Sequence, residues 1–237
     1  MDMKLQSQAE RIRNCSGVIF AAGGHSSRFD GNKLFATLRG MPLFSHCIRR
    51  FAQWLSLRNC VLVVPQGEQE DFRRQLDAWG LGELPLTEGG ATRFASVKAG
   101  LTALPEAVSL VAVQDAARPL TPLELLQRCL VNADQCGSGV AAHHVVDTIK
   151  VASPRGLVLE TPDRRSLWAT ETPQAFRRDW LEAGYNAAQS RADTLTDDTQ
   201  AVQLAGHPVL LVENHAPNLK VTYPQDLVLA EALLAQA

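Results

Sequence analysis

The chain has no excess of charge of either sign. Its 23 Lys and Arg stand against 25 Asp and Glu, a formal net charge of −2 over 237 residues. A general nucleic-acid binder carries a basic excess, so no nucleic-acid partner is expected. Long apolar runs are also missing. Residues 61–64 (VLVV) and 227–234 (LVLAEALL) are too short or too interrupted to span a bilayer, and no membrane partner is expected. The first fifteen residues, MDMKLQSQAERIRNC, lack the apolar core of a signal peptide, so a cytoplasmic protein is expected. Cysteine is scarce: Cys15, Cys47, Cys60, Cys129 and Cys136 are odd in number and form no CxxC pair. That argues against a zinc ribbon or a disulfide framework and for buried or idle thiols in a reducing compartment. What is present is a globular composition, 46% hydrophobic and 20% charged, which excludes a disordered chain. One α/β domain can hold all of residues 1–237.

Residues 1–16 read as a loose leader. Residues 17–22 (GVIFAA) are a short apolar, β-branched run ending in glycines, which predicts a buried strand entering a glycine loop. Residues 60–64, 84–87, 110–114 and 139–146 predict further strands. Helical spacing of apolar residues predicts helices over 41–55, 68–79 and 92–104, and Thr121-Pro122-Leu123-Glu124 reads as a capping box opening another. Around 145–168 the pattern changes. Two short extended runs flank the turn Ser153-Pro154-Arg155-Gly156, which predicts a projecting β-arm. Beyond it, residues 169–176 return to the body, helices are expected over 177–190 and 197–205 and from 224, and strands over 208–213 and 218–221. Alternating strands and helices over the first 140 residues predict a Rossmann-like, mainly parallel sheet with helices on both faces.

Three segments can carry chemistry. The loop AAGGHSSRFDGNK places glycines after a strand, where backbone N–H groups can close on phosphate oxygens, with Arg28 and Lys33 as neutralising cations. A plain βα turn with surface cations explains the same residues. The loop is not a Walker A motif, has no GxGxxG and lacks the second glycine of a nucleophile elbow. In VQDAARPL, Asp115 ends a parallel strand, where open α/β sheets bind ligands; it suits Mg²⁺, and Arg118 suits an anion. An ordinary Asp–Arg surface pair is the alternative. In EGGATRFAS, glycines lead into a helix with Thr92 at its cap and Ser96 on its first turns, an anion site or simple capping. His143 and His144 are adjacent on a strand and cannot chelate one metal together.

Taken in order, AAGGHSSRF with Lys33, GGATRFASVKAGL, VQDAARPL, VVDTIK, DRRSLWATETPQAF, LTDDTQAV and NLKVTYPQDLVLAE resemble the 2-C-methyl-D-erythritol 4-phosphate cytidylyltransferase family over nearly the whole chain. The loop departs from the family pattern: GHSSRF stands for GxGxRM, and NKL for PKQ. The resemblance implies that an acceptor phosphate attacks the α-phosphorus of CTP with Mg²⁺ as cofactor, in non-mevalonate isoprenoid biosynthesis. It implies transition-state roles for Arg28 and Lys33, and a nucleotide site at Ala21, Ala22, Gly23, Gly90 and Ser96. It puts Asp115 by metal and substrate, and Arg118, Thr148, Arg164, Thr172 and Lys220 on the methylerythritol phosphate. Arg164 is preferred to Arg165 because it follows Asp163. The arm is expected to embrace a second subunit, with Arg164 and Thr172 serving the neighbour's site in a homodimer with shared active sites. The alternatives are a cytidylyltransferase for another polyol phosphate, such as ribitol 5-phosphate, and a non-catalytic nucleotide-binding regulator.

Overall fold

Two-residue alternation in the central strands sets the architecture, because each strand is apolar on both faces and must be covered on both. The computed structural model describes residues 3–23, 29, 32–191 and 195–235. Along the chain run α1 (Met3–Cys15), β1 (Ser16–Ala21), the small ribbon β2 (Thr37–Leu38) and β3 (Met41–Pro42), α2 (Ser45–Phe51), β4 (Val61–Val64) and α3 (Gln69–Ala78). Then come β5 (Leu86–Glu88), α4 (Arg93–Ala103), β6 (Leu110–Asp115), α5 (Leu123–Cys136) and β7 (Ser138–His144). The arm strands β8 (Val151–Ala152) and β9 (Val158–Glu160) precede β10 (Trp168–Arg177), α6 (Arg178–Ala187), α7 (Asp198–Leu204), β11 (Leu211–Glu213) and α8 (Pro224–Leu234).

Seven strands form one sheet in the order β11-β7-β10-β6-β1-β4-β5. β10 alone runs antiparallel to its neighbours; the other pairings are parallel. Val18, Phe20, Leu62, Val64 and Ala112 join one core with Ile12, Phe51, Phe72 and Leu126. Their chain neighbours Ile19, Val61, Val63, Val111 and Val113 join the other with Phe94, Val97, Leu181 and Val202. Helices therefore cover both faces, the expected Rossmann-like α/β arrangement. From β1 the chain steps outward through β4 to β5, then returns to β6 on the other side of β1. That reversal is a topological switch point, where open sheets bind ligands beyond the carboxyl ends of their strands. Ala21 and Asp115 are register partners there.

Several expectations need correction. The 1–16 leader is not loose: α1 spans Met3–Cys15, Ile12 is buried, and Arg11 reaches Asp134 at 2.6 Å. A polar helix with few buried side chains leaves little apolar periodicity to read. The helix expected over 41–55 is the shorter α2, because Met41 and Pro42 belong to a ribbon strand; its apolar residues are nevertheless buried as expected. Thr121 does not cap α5. Pro122 takes that position without a side-chain bond, while the Thr121 hydroxyl donates to Asn218 Oδ1 at 2.7 Å. Residues 218–221 are irregular rather than a strand. The arm is the expected antiparallel hairpin, with Gly156 at φ +78° closing its turn. No helix among the described residues is long and apolar enough to cross a membrane.

Candidate active site

A cavity of about 250 Å³ opens at the switch point, lined by Ala21, Ala22, Gly23, Lys33, Leu34, Ala91, Thr92, Arg93, Ser96, Asp115, Ala117 and Lys220. One wall is main chain and small side chains. β1 ends there at Ala21, and Ala22 N still donates to Val63 O at 2.8 Å, holding the turn against β4. Opposite, the N-terminus of α4 is fixed by Thr92, whose hydroxyl accepts from Ala95 N at 3.1 Å. The buried Ser96 hydroxyl bonds Thr92 O at 2.9 Å and Gly90 O at 3.3 Å, folding the glycine turn onto the helix. A Cβ on Gly90 would lie 2.4 Å from Ala95 Cβ, so the turn admits no side chain there. Gly90 thus shapes the wall through Ser96 without lining the cavity itself.

The other wall is charged. Asp115 is 8% exposed at the end of β6. Lys220 Nζ lies 2.8 Å from its Oδ2, and Arg118 Nε lies 3.4 Å from the same oxygen. Burial pushes this carboxyl up, but Lys220, Arg118 and Arg93 outweigh burial and hold it below the usual carboxylate range. Lys33 Nζ donates to Val221 O at 3.2 Å. Arg93, unnoticed in the sequence, lines the cavity while its guanidinium forks onto Asp198 at 2.8 and 2.7 Å. Burial disfavours its charge, but the Asp198 carboxylate more than compensates. Asp198 is fully buried; Tyr185 also donates to it, and burial beside that carboxylate pushes the phenol well up. Nothing local in LTDDTQ reveals that the partner of Asp198 lies 105 residues away.

A second cavity of about 710 Å³ adjoins the first and shares Lys220. Arg118, His143, His144, Val146, Glu171, Glu213 and residues 214–219 complete it. The two histidines make separate contacts: His143 Nδ1 with Glu171 Oε1 at 2.8 Å, and His144 against the Trp168 ring at 3.6 Å.

The structure therefore brings Ala21, Ala22, Gly23, Lys33, Ser96, Asp115 and Lys220 together, with Arg118 next door. Arg164 stands at the base of the arm and donates to Val146 O at 2.7 Å. Thr148 is exposed and lines neither cavity. Thr172 is not on the arm. It is buried beneath the site, and its hydroxyl accepts from Asp115 N of its own chain at 3.1 Å. Within its own chain it fixes the main chain that presents Asp115. Arg28, like Gly24, His25, Ser26 and Ser27, lies outside the described residues.

A doubly wound sheet whose switch-point cavity is lined by main chain, small side chains, cations and one carboxylate defines a nucleotide-handling α/β enzyme. Comparison with known proteins narrows that class. Residues 16–236 match the model of IspD, 2-C-methyl-D-erythritol 4-phosphate cytidylyltransferase. The enzyme of that name from Alkaliphilus oremlandii is 34% identical, covering 95% of this chain and 97% of the relative. The one from Rhodopirellula baltica is 40% identical, over 93% and 96%. The crystal structure of the Thermus thermophilus enzyme superposes with a TM-score of 0.77 at 33% identity, over 94% of this chain and all of that one. The chain belongs to the 2-C-methyl-D-erythritol 4-phosphate cytidylyltransferase family, and it is a nucleotidyltransferase.

Proposed function

We propose that the chain transfers the cytidylyl group of CTP to 2-C-methyl-D-erythritol 4-phosphate, releasing pyrophosphate, as a step of non-mevalonate isoprenoid biosynthesis. An acceptor phosphate oxygen attacks the α-phosphorus, a P–O bond forms, and the bond to the departing pyrophosphate breaks. A phosphate dianion is already nucleophilic, so no base need activate it. The observation that carries the reading is the mixed lining of the first cavity: main chain and short side chains at Ala21, Ala22, Gly23, Ala91 and Ser96 together with Lys33, Arg93, Asp115 and Lys220. The small residues suit a nucleotide approaching backbone N–H groups. The cations suit charge that builds on phosphate oxygens in the transition state.

Within this reading Lys33, with Arg28 from the loop, stabilises the transition state. Arg118 and Lys220 exchange part of their hold on Asp115 for the acceptor phosphate. Asp115 is the one carboxylate among the described residues lining the first cavity. That donor set fits Mg²⁺, which takes one or two carboxylates and shares the rest of its shell with substrate phosphates and water. When bound, the ion neutralises phosphate charge and orients the triphosphate.

The homodimer with shared active sites belongs to the same proposal. The arm exposes Val146, Leu157, Val158 and Leu159, with Leu159 68% accessible, and large apolar side chains exposed together on one element suit a subunit contact. Arg164 at its base then serves the partner's acceptor site. A reducing, cytoplasmic setting suits the five free cysteines.

Pyrophosphate release with Mg²⁺ tests the reaction: release should need both CTP and a polyol phosphate, and release from CTP alone at the same rate would overturn it. Mixing Arg164→Ala subunits with Arg28→Ala subunits tests the sharing. Recovery of one good site per mixed dimer is expected, and no recovery despite proven exchange would count against it.

A further inference from the structure

Glu171 is 7% exposed and takes no part in the chemistry described above. It sits in β10 where the register with β7 breaks, between Thr170 and Gln174. Its Oε2 accepts from Asn214 Nδ2 at 2.9 Å and from Asn218 Nδ2 at 2.8 Å, and its Oε1 meets His143 Nδ1 at 2.8 Å. Both asparagines lie in the irregular stretch 214–222, which has no strand or helix of its own to fix it.

That stretch carries Lys220 and anchors Arg118, the two cations of the acceptor end. Asn218 O accepts from Arg118 Nη1 at 2.6 Å. Two residues on, Lys220 reaches Asp115. Val221 O accepts from Lys33 Nζ, and Val221 N donates to Ala117 O at 2.9 Å. Asn218 is also held by Thr121 Oγ1 and Thr172 O. A backbone segment without its own ladder depends on such side-chain bonds. The carboxylate is the one acceptor common to both asparagines.

We propose that Glu171 is a positioning residue for Arg118 and Lys220. Its clamp on Asn214 and Asn218 sets the path of residues 214–222 and so the aim of the two cations at the acceptor phosphate. The inference rests on the acceptor role given to those cations above. It makes a chemical distinction between replacements. Glu171→Gln can turn its amide oxygen to both asparagines and its NH₂ to His143, which accepts at Nδ1 in its Nε2–H tautomer. Glu171→Leu fills the space but takes the acceptor from one N–H of each buried amide, leaving Asn214 with Ala216 O and Asn218 with Thr172 O.

The test is steady-state kinetics with both substrates varied, together with hydrogen exchange at Val221 N. Glu171→Leu should raise the acceptor KM about tenfold or more, as for loss of hydrogen bonds to a charged group, with the KM for CTP within about twofold, and should speed exchange at Val221 N. Glu171→Gln should restore both readouts. Equal rises in both KM values, an unshifted acceptor KM, or a Gln variant as impaired as Leu would overturn the proposal. If Glu171→Leu does not fold, Asn214→Ala removes one arm of the clamp and should shift the same two readouts in the same direction; no shift would overturn the proposal. If the wild type transfers to no polyol phosphate, the functional reading fails, and exchange at Val221 N alone decides whether Glu171 holds the segment.

Discussion

The two cavities meet at Lys220 and are built in opposite ways. The first is shaped by backbone. β1 and β6 end at Ala21 and Asp115, α4 begins at Thr92, and Gly90 is excluded from carrying a Cβ by Ala95. The second is shaped by side chains. Residues 214–222 have no ladder, and Glu171, Asn214, Asn218, Thr121 and Arg118 hold them through hydrogen bonds. A backbone wall is set by the sheet and resists most surface substitutions. A wall held by a buried polar network stands or falls with each partner, because an unpaired buried group costs its full desolvation. The nucleotide end should therefore tolerate change that the acceptor end does not.

The sharpest way to break this contrast is at Lys33, which lines the first cavity and donates to the Val221 carbonyl. Lys33→Ala should lower kcat by about 10²–10³, as for loss of one transition-state donor, with the fold intact by circular dichroism. Turnover at the parent rate would remove Lys33 from the mechanism. Next comes the buried pair behind the nucleotide wall. Asp198→Ala strands Arg93 and the Tyr185 hydroxyl, and should cost stability at the low end of about 3–5 kcal/mol, because Arg93 keeps 31% side-chain exposure. Urea denaturation measures it, and a loss below about 1 kcal/mol would mean the pair behaves as a surface one.

A smaller effect concerns acid. Asp115 has its folded pKa depressed by Lys220, Arg118 and Arg93 against the pull of burial. A depressed carboxylate adds stability that is fully present above its unfolded pKa and is lost as pH falls through the folded value. Wild-type stability should therefore fall more steeply than that of Asp115→Asn below about pH 4; parallel curves would contradict the shift. Smallest is the thiol response. Burial pushes Cys47, Cys60 and Cys129 up to about 12. Alkylation of the native protein at pH 8 should mark the exposed Cys136 and spare these three, as mass spectrometry of digested peptides would reveal.

The same contrast explains what could be read from the sequence. The glycine turns, Thr92 with Ser96, and Asp115 at the end of an apolar run leave local marks, because a strand end, a helix cap and a close backbone approach each restrict residue type. The unbroken apolar runs VLVV and LVAVQ likewise carry the doubly covered sheet. Arg93–Asp198 and Glu171–Asn218 leave none: their partners lie 105 and 47 positions apart, and Asn, Asp and Glu in loops look the same whether solvated or buried. Residues 218–221 resembled a strand for that reason, and Thr121 resembled a cap although its hydroxyl turns to Asn218. α1 was missed because, among its described side chains, Ile12 is the one buried in the main core. Thr172 could not be assigned to its own chain's Asp115 without the sheet register.

The most direct measurement is pyrophosphate release with CTP and Mg²⁺, comparing 2-C-methyl-D-erythritol 4-phosphate with ribitol 5-phosphate over the same concentration range. The account predicts strong turnover with the methylerythritol phosphate and little with ribitol phosphate. Preference for ribitol phosphate, or no turnover with either from folded protein, would contradict it.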